Sequence, residues 1–260
     1  MKLVGMILAG GMGKRMQSDL PKVLHEIKDK PMIYYSLKLL SQLPIDDIQV
    51  IVGYQKDIVK KAVKDIARQL QIASKIHFAS QPEPLGTGHA VRCGLKKVAD
   101  DTTDVLVLNG DDSAFYSPET IKAVLNLHTS INSDLTFVTL KVDNPIGLGR
   151  ILRNEGGEVM AIIEDKAATS EQKLINEVND GCYIFRYYYL KRYINSIKKS
   201  STGEYYLTDL VGIGVKNEAK ISTFMLDKRH EWVGVNTQED LLEANNLAKN
   251  NGNFQNFKTQ

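Results

Sequence analysis

The segment LAGGMGKRM (Leu8–Met16) follows directly on an apolar run and ends in two adjacent cations, Lys14 and Arg15, with Pro21-Lys22 a few residues on. Glycines let successive backbone N–H groups turn inward as an anion nest, and cations just beyond them face the charge of a polyphosphate. Taken alone, the segment is equally a tight turn with solvated cations. Two familiar phosphate loops are excluded. Gly13-Lys14 is followed by Arg15 instead of Ser or Thr, and the upstream glycine of a Walker loop is Leu8 here. The dinucleotide fingerprint fails because Met16 stands at its third glycine. The next strand also begins only near Ile48, too late for a ribose-binding acid about 20 residues on.

Other residues carry chemistry by type and place. Asp111 follows the apolar strand VLVLNG, on the rim where parallel sheets bind ligands; a turn or cap aspartate is the plainer alternative. The Gln81 side chain carries both a donor and an acceptor, which can match the imide edge of a uracil. LGTGHAV opens a helix with Thr87 near its start, in a capping position. His89 has no evident partner and is expected to pack. Glu164, after AII, also fits a solvated strand end. The tyrosines at 187–189 are expected to pack a helix, and Lys198-Lys199 to be solvated.

The elements that must position these residues alternate in the first half. Leu3–Leu8 is a continuous apolar strand, as in a sheet covered on both faces. Met32–Gln42 has helical spacing, Ile48–Val52 is a strand, and Asp57–Leu70 is an amphipathic helix with Ile58, Val59, Ala62, Val63 and Ile66 on one side. Strands at Ile76–Ala79 and Val105–Leu108 flank a helix from Gly88 to Val98. Beyond residue 134, DLTFVTLKV alternates as a half-exposed antiparallel strand does, and residues 149–165 form a hairpin turning at Asn154–Gly157. Helices are expected at Tyr187–Lys198, Leu207–Val215 and Thr237–Lys249. The expected fold is α/β: a Rossmann-like mixed, mostly parallel sheet with helices on both faces and an antiparallel portion. One domain is expected over 1–249, with a flexible tail over 250–260.

The 260 residues include 33 basic and 31 acidic side chains, a net charge of +2, so no global field draws the chain to nucleic acid or an anionic membrane. The N-terminal apolar run is too short to span a bilayer. Cys93 and Cys182 lack metal-ligand spacing and suit reduced packing residues of a cytoplasmic protein.

LAGGMGKRM followed by LPKVLH resembles the opening of the sugar-1-phosphate nucleotidyltransferases. QPEPLGTGHAV, LNGD, GLGRI, IIEDK, EVNDG, GEYYLTD and GVN then follow in that family's order, from residue 81 to 236. The pattern is most like the uridylyltransferase domains of the bifunctional N-acetylglucosamine-1-phosphate uridylyltransferases. That resemblance implies transfer of a uridylyl group from UTP to a sugar 1-phosphate, foremost N-acetylglucosamine 1-phosphate. Another sugar, dTTP, or a silent nucleotide-sugar-binding protein are the alternatives. It implies Arg15 and Lys22 as catalytic cations, and Leu8, Ala9, Gly10, Gly11, Gln81, Gly86 and Thr87 as nucleotide-binding residues. It further implies Gly149, Glu164 and Asn179 on the sugar, with Asp111 and Asn236 holding Mg²⁺. UTP and the sugar phosphate are the expected partners.

The pattern has departures. Lys14 stands where the family usually has Thr, Asp112-Ser113-Ala114 where it has an apolar residue, Pro and Leu, and Ala167 where it has an acid. The last two bear on sugar choice. The bifunctional enzymes continue into a β-helix of hexapeptide repeats that this sequence lacks, so neither acetyl transfer nor a β-helix trimer is expected.

Overall fold

Leu3, Met6 and Ile7 are completely buried because the strand that carries them, β1 (Leu3–Ala9), has a neighbour on either side and a hydrophobic layer over each face. The computed structural model describes residues 2–227 and 231–250. β1 runs parallel to β4 (Asp47–Val52) on one side and β6 (Asp104–Asn109) on the other. Beyond β4 lies β5 (Ile76–Ser80), also parallel. Beyond β6 the sheet turns antiparallel through β10 (Glu177–Arg186) to β7 (Leu135–Lys141), and β11 (Ile221–Met225) closes that side parallel to β7. The order is β11-β7-β10-β6-β1-β4-β5. The hairpin of β8 (Arg150–Arg153) and β9 (Val159–Ile163) branches from β10, and β2 (Glu26–Ile27) pairs with β3 (Lys30–Pro31) separately. The mixed, mostly parallel α/β architecture expected from the sequence is the one observed.

Period-two alternation along β1 divides the core. Leu3, Ile7 and Ala9 join the layer under α1 (Met32–Ser41), α2 (Lys56–Gln69), α4 (Pro118–Ser130) and α7 (Gln238–Asn250). Met6 joins the opposite layer, under α3 (Thr87–Leu95), α5 (Tyr187–Tyr193) and α6 (Asp209–Lys216). Tyr187 and Tyr189 pack as expected, while Tyr188 is exposed. Among the described residues no helix is long and apolar enough to cross a membrane.

Several expectations change. β7 is not half-exposed: residues 135–140 are buried, because β10 and β11 flank it and both faces are covered. Its polar members are satisfied inside; Thr136 Oγ1 lies 2.8 Å from His128 Nδ1 and 2.7 Å from Ser222 Oγ. Ile58 is 52% exposed, so the buried face of α2 is Val59, Val63, Ile66 and Ala67. α5 ends at Tyr193 and passes into a 3₁₀ turn at Ile194–Ser196. β10, β11 and α4 were not anticipated, although α4 carries its start signal: Ser117 accepts from Thr120 N at 3.2 Å, with Pro118 next. The tail expected over 250–260 lies outside the described residues, except Asn250 at the end of α7.

Candidate active site

The chain leaves β1 toward β4 and β5 on one side and returns through β6 on the other. The β1 and β6 ladders run together to Leu8 opposite Asn109, and the loops beyond them part to open a crevice. The cleft there has a volume of about 430 Å³. Leu8, Gly10 and Gly11 line it after β1, Gln81 after β5, and Asn109 and Asp111 at the end of β6. A Cβ on Gly10 would stand 2.6 Å from Gln81 Oε1, so a side chain there would have to displace that amide. Its carbonyl accepts from Tyr54 N at 3.1 Å, pinning the glycine loop to the end of β4.

One end of the cleft is cationic. Lys22 opens a 3₁₀ turn after Pro21, anchored by buried Val23 and Leu24. Its ammonium donates to Asn236 Oδ1 at 2.8 Å and pairs with Asp111. Arg15 Nη2 donates to the same Asn236 oxygen at 2.8 Å. Asn236 reaches this point because the start of α7 is doubly capped. Asp240 accepts from the amides of Asn236 and Thr237 at 2.7 and 2.9 Å, and Thr237 Oγ1 accepts from Asp240 N at 3.1 Å. Gln238 Nε2 donates to Met16 O at 2.7 Å, tying α7 to the glycine loop.

Gln81, Gly86 and Thr87 line the next wall. Gln81 Nε2 donates to Gly86 O at 3.0 Å and lies 3.3 Å from His89 Nδ1. His89 is therefore partnered, contrary to expectation, and also contacts Glu83 O at 3.1 Å. Nor does Thr87 cap its own helix: its Oγ1 accepts from Leu207 N at 3.0 Å, joining α3 to the segment before α6.

The antiparallel part supplies the far wall, with Gly149, Glu164 and Asn179. Asn179 N donates to Gly149 O at 2.8 Å, and Glu164 accepts from Thr208 Oγ1 at 2.7 Å. Burial, and then the carboxylates of Asp209, Glu204 and Asp165, push the Glu164 carboxyl above its usual range. Asp112, Asp180, Gly181 and Trp232 join this wall. Burial, then the Asp111 and Asp180 charges, hold the Asp112 carboxyl well above the usual carboxylate range. Burial does the same to Asp180; the Cys182 amide lies near its carboxyl but outside hydrogen-bond geometry. Only Asp112 of these was singled out in sequence, and then as a departure from pattern. Asp180 adjoins the recognised Asn179, and Trp232 is the sole tryptophan.

Of the residues assigned by resemblance, two do not line the cleft. Ala9 is 1% exposed and belongs to the core, because alternation turns it from the crevice that Leu8 and Gly10 face. Arg15 is exposed and stands at the rim through its bond to Asn236.

A cleft at the switch point of an α/β sheet, where a glycine loop and cations meet acidic side chains, defines a nucleotide-handling α/β protein. The chain belongs to the nucleotidyl transferase family, which it matches over residues 4–251. Within that family the likeness is to sugar-1-phosphate nucleotidyltransferases. Bifunctional protein GlmU of Clostridium beijerinckii is 36% identical over 250 residues, covering 96% of this chain and 52% of its own. GlmU of Thermoanaerobacter pseudethanolicus is 34% identical over 257 residues, covering 98% of this chain and 54% of its own. The chain thus spans about half the length of these relatives. A putative glucose-1-phosphate thymidylyltransferase from Bacillus anthracis, solved in complex with sucrose, shares the fold with a TM-score of 0.80 at 22% identity, over 99% of this chain and 97% of that one.

Proposed function

We propose that this chain transfers a uridylyl group from UTP to a sugar 1-phosphate, foremost N-acetylglucosamine 1-phosphate, releasing pyrophosphate. The observation that carries this is the meeting of Asp111, Asn236 and Lys22 beside the Gly10-Gly11 loop, at the mouth of the β1–β6 crevice.

A phosphate monoester is already an anionic nucleophile at neutral pH, so its oxygen attacks the α-phosphorus in line without a general base. The protein's task is then to position two anions and neutralise their charge. The Gly10-Gly11 backbone receives the triphosphate, Arg15 faces the leaving pyrophosphate, and Lys22 draws the α-phosphate and the sugar phosphate together. Gln81, with Gly86 and Thr87, meets the uracil edge. Gly149, Glu164 and Asn179 meet the sugar.

The donor set fits Mg²⁺. Asp111 and Asn236 present hard oxygens to one cationic point, where the Lys22 ammonium now lies. Among the described residues no group of three or more His, Cys, Asp and Glu could hold a metal. Such a sparse shell suits an ion that keeps waters and takes substrate phosphate oxygens. When bound, Mg²⁺ supplies positive charge to the reacting phosphates. Free Cys93 and Cys182 fit a cytoplasmic setting for the reaction.

The test is a pyrophosphate-release matrix of the four NTPs and dTTP against several sugar 1-phosphates, with Mg²⁺. UTP with N-acetylglucosamine 1-phosphate should be fastest. A purine preference would overturn the base assignment, and a glucose 1-phosphate preference only the sugar. Silence with every pair would leave a nucleotide-sugar-binding protein.

A further inference from the structure

The mechanism leaves Asp180, on the wall of the cleft that carries Gly149, Glu164 and Asn179, without a task. Asp180 is 3% exposed, and neither carboxylate oxygen makes a hydrogen bond. The residue before it repeats the pattern. Asn179 spends its Nδ2 on the Tyr183 hydroxyl at 2.7 Å, and its Oδ1 is buried without a partner. Three acceptor atoms on consecutive residues therefore lack donors.

The backbone that carries them is held firmly. Trp232 Nε1 donates to Asp180 O at 3.1 Å. Gly181, at φ 104°, presses against the end of β6, where a Cβ would stand 2.5 Å from Asn109 Nδ2. That Nδ2 donates to Asp112 Oδ2 at 2.8 Å, and it makes no hydrogen bond to Asp180. The basic side chains Lys22 and Arg15 are engaged with Asn236 and Asp111.

A buried acceptor left without a hydrogen bond is costly, and in a cleft the missing donor is that of a ligand. Phosphate and carbonyl oxygens only accept, so neither satisfies the open oxygens of Asn179 and Asp180. A sugar substituent can donate. We propose that Asp180, beside Asn179, reads a hydrogen-bond-donating substituent, hydroxyl or ammonium, on the sugar of the bound substrate. This rests on the sugar-1-phosphate nucleotidyltransferase function, and makes Asp180 a specificity-determining residue.

The experiment compares UDP-N-acetylglucosamine with its monodeoxy and monoamino analogues, one for each hydroxyl-bearing carbon of the sugar, by calorimetric titration. The proteins are wild type, Asp180→Ala and the near-isosteric Asp180→Asn. Wild type should bind one deoxy analogue roughly tenfold more weakly than the parent, as when a buried polar group is left without its partner. Asp180→Ala should bind that pair alike, and Asp180→Asn should lie between. Without ligand, Asp180→Ala should melt above wild type, because an unpaired buried carboxyl is gone; a merely structural aspartate would give the opposite shift. Tighter binding of the amino analogue at that carbon assigns an ammonium, and weaker binding a hydroxyl. Unchanged discrimination in Asp180→Ala overturns the proposal. Pyrophosphate release by wild type separates the two claims. Release with unchanged discrimination sinks only the role of Asp180, whereas neither release nor UDP-sugar binding sinks the function beneath it.

Discussion

Lys22 pairs with Asp111 at the end of β6, and the same ammonium donates to Asn236 Oδ1 at 2.8 Å. One cationic head thus joins an oxygen from the middle of the chain to one from near its end. Asp111→Asn keeps the shape and removes the charge that, under the proposed function, holds Mg²⁺ to the substrate phosphates. Turnover should fall on the order of 10²–10³ while circular dichroism stays that of wild type. Asn236→Ala should lose less, since an amide oxygen carries no net charge. Steady-state kinetics across a Mg²⁺ titration decide it; unchanged rates at limiting Mg²⁺ would remove Asp111 from the site.

Lys22 and Arg15 should separate kinetically. Lys22 lines the cleft and Arg15 stands at its rim. Lys22→Met should lower kcat by roughly 10²-fold or more, as removal of a preorganised charge at the reacting phosphate does. Arg15→Ala should act mainly on the KM for UTP, with a smaller effect on kcat. Equal losses in kcat would place both cations at the α-phosphate.

Glu164 should tax stability at neutral pH. Its folded carboxyl is raised above the ordinary 4.5, first by burial and then by neighbouring acids. Between the unfolded and folded values the native chain holds a proton that the unfolded chain has lost, so stability falls as pH rises through that window. Glu164→Gln removes the dependence and can still accept from Thr208. Its melting-temperature advantage should be largest at neutral pH and shrink as the pH falls below 4.5. An advantage independent of pH would show that burial of the charge is not the cause. Activity should drop, because the sugar loses an ionised acceptor.

Gly181→Ala should destabilise the wall that carries Asn179 and Asp180. The φ of 104° disfavours any L side chain, and the new Cβ would meet Asn109 at 2.5 Å. A cost of about 1–3 kcal/mol is expected for such a conformation. Urea unfolding measures it, and a midpoint equal to wild type would show that β10 relaxes freely around residue 181.

Much of the nucleotide side of this protein is legible without coordinates. The continuous apolar runs of β1 and β6 require a sheet covered on both faces, and that places the glycine loop and Asp111 together at the rim. The hairpin of β8 and β9 is legible for the same reason: its turn residues and alternation are local properties. β7 was misread because alternating polarity reports exposure only when water is the partner. Thr136 instead finds His128 and Ser222, a choice made by elements far away in the chain.

Residue types offered a glycine turn, cations and a rim carboxylate, and the family resemblance turned these into an expected phosphate nest and an Asp111–Asn236 metal pair. Tertiary structure decided which of them meet. Asn236 reaches Lys22 only because the cap of α7 and the Gln238–Met16 bond dock that helix on the glycine loop. No local pattern predicts that docking, since it depends on surfaces formed after both segments fold; only the family resemblance put Asn236 beside Asp111 in advance. Tertiary structure likewise left Asp180 buried without a donor. An aspartate in sequence is only an acceptor; whether donors surround it is settled by the packing of β6, β10 and Trp232 around it.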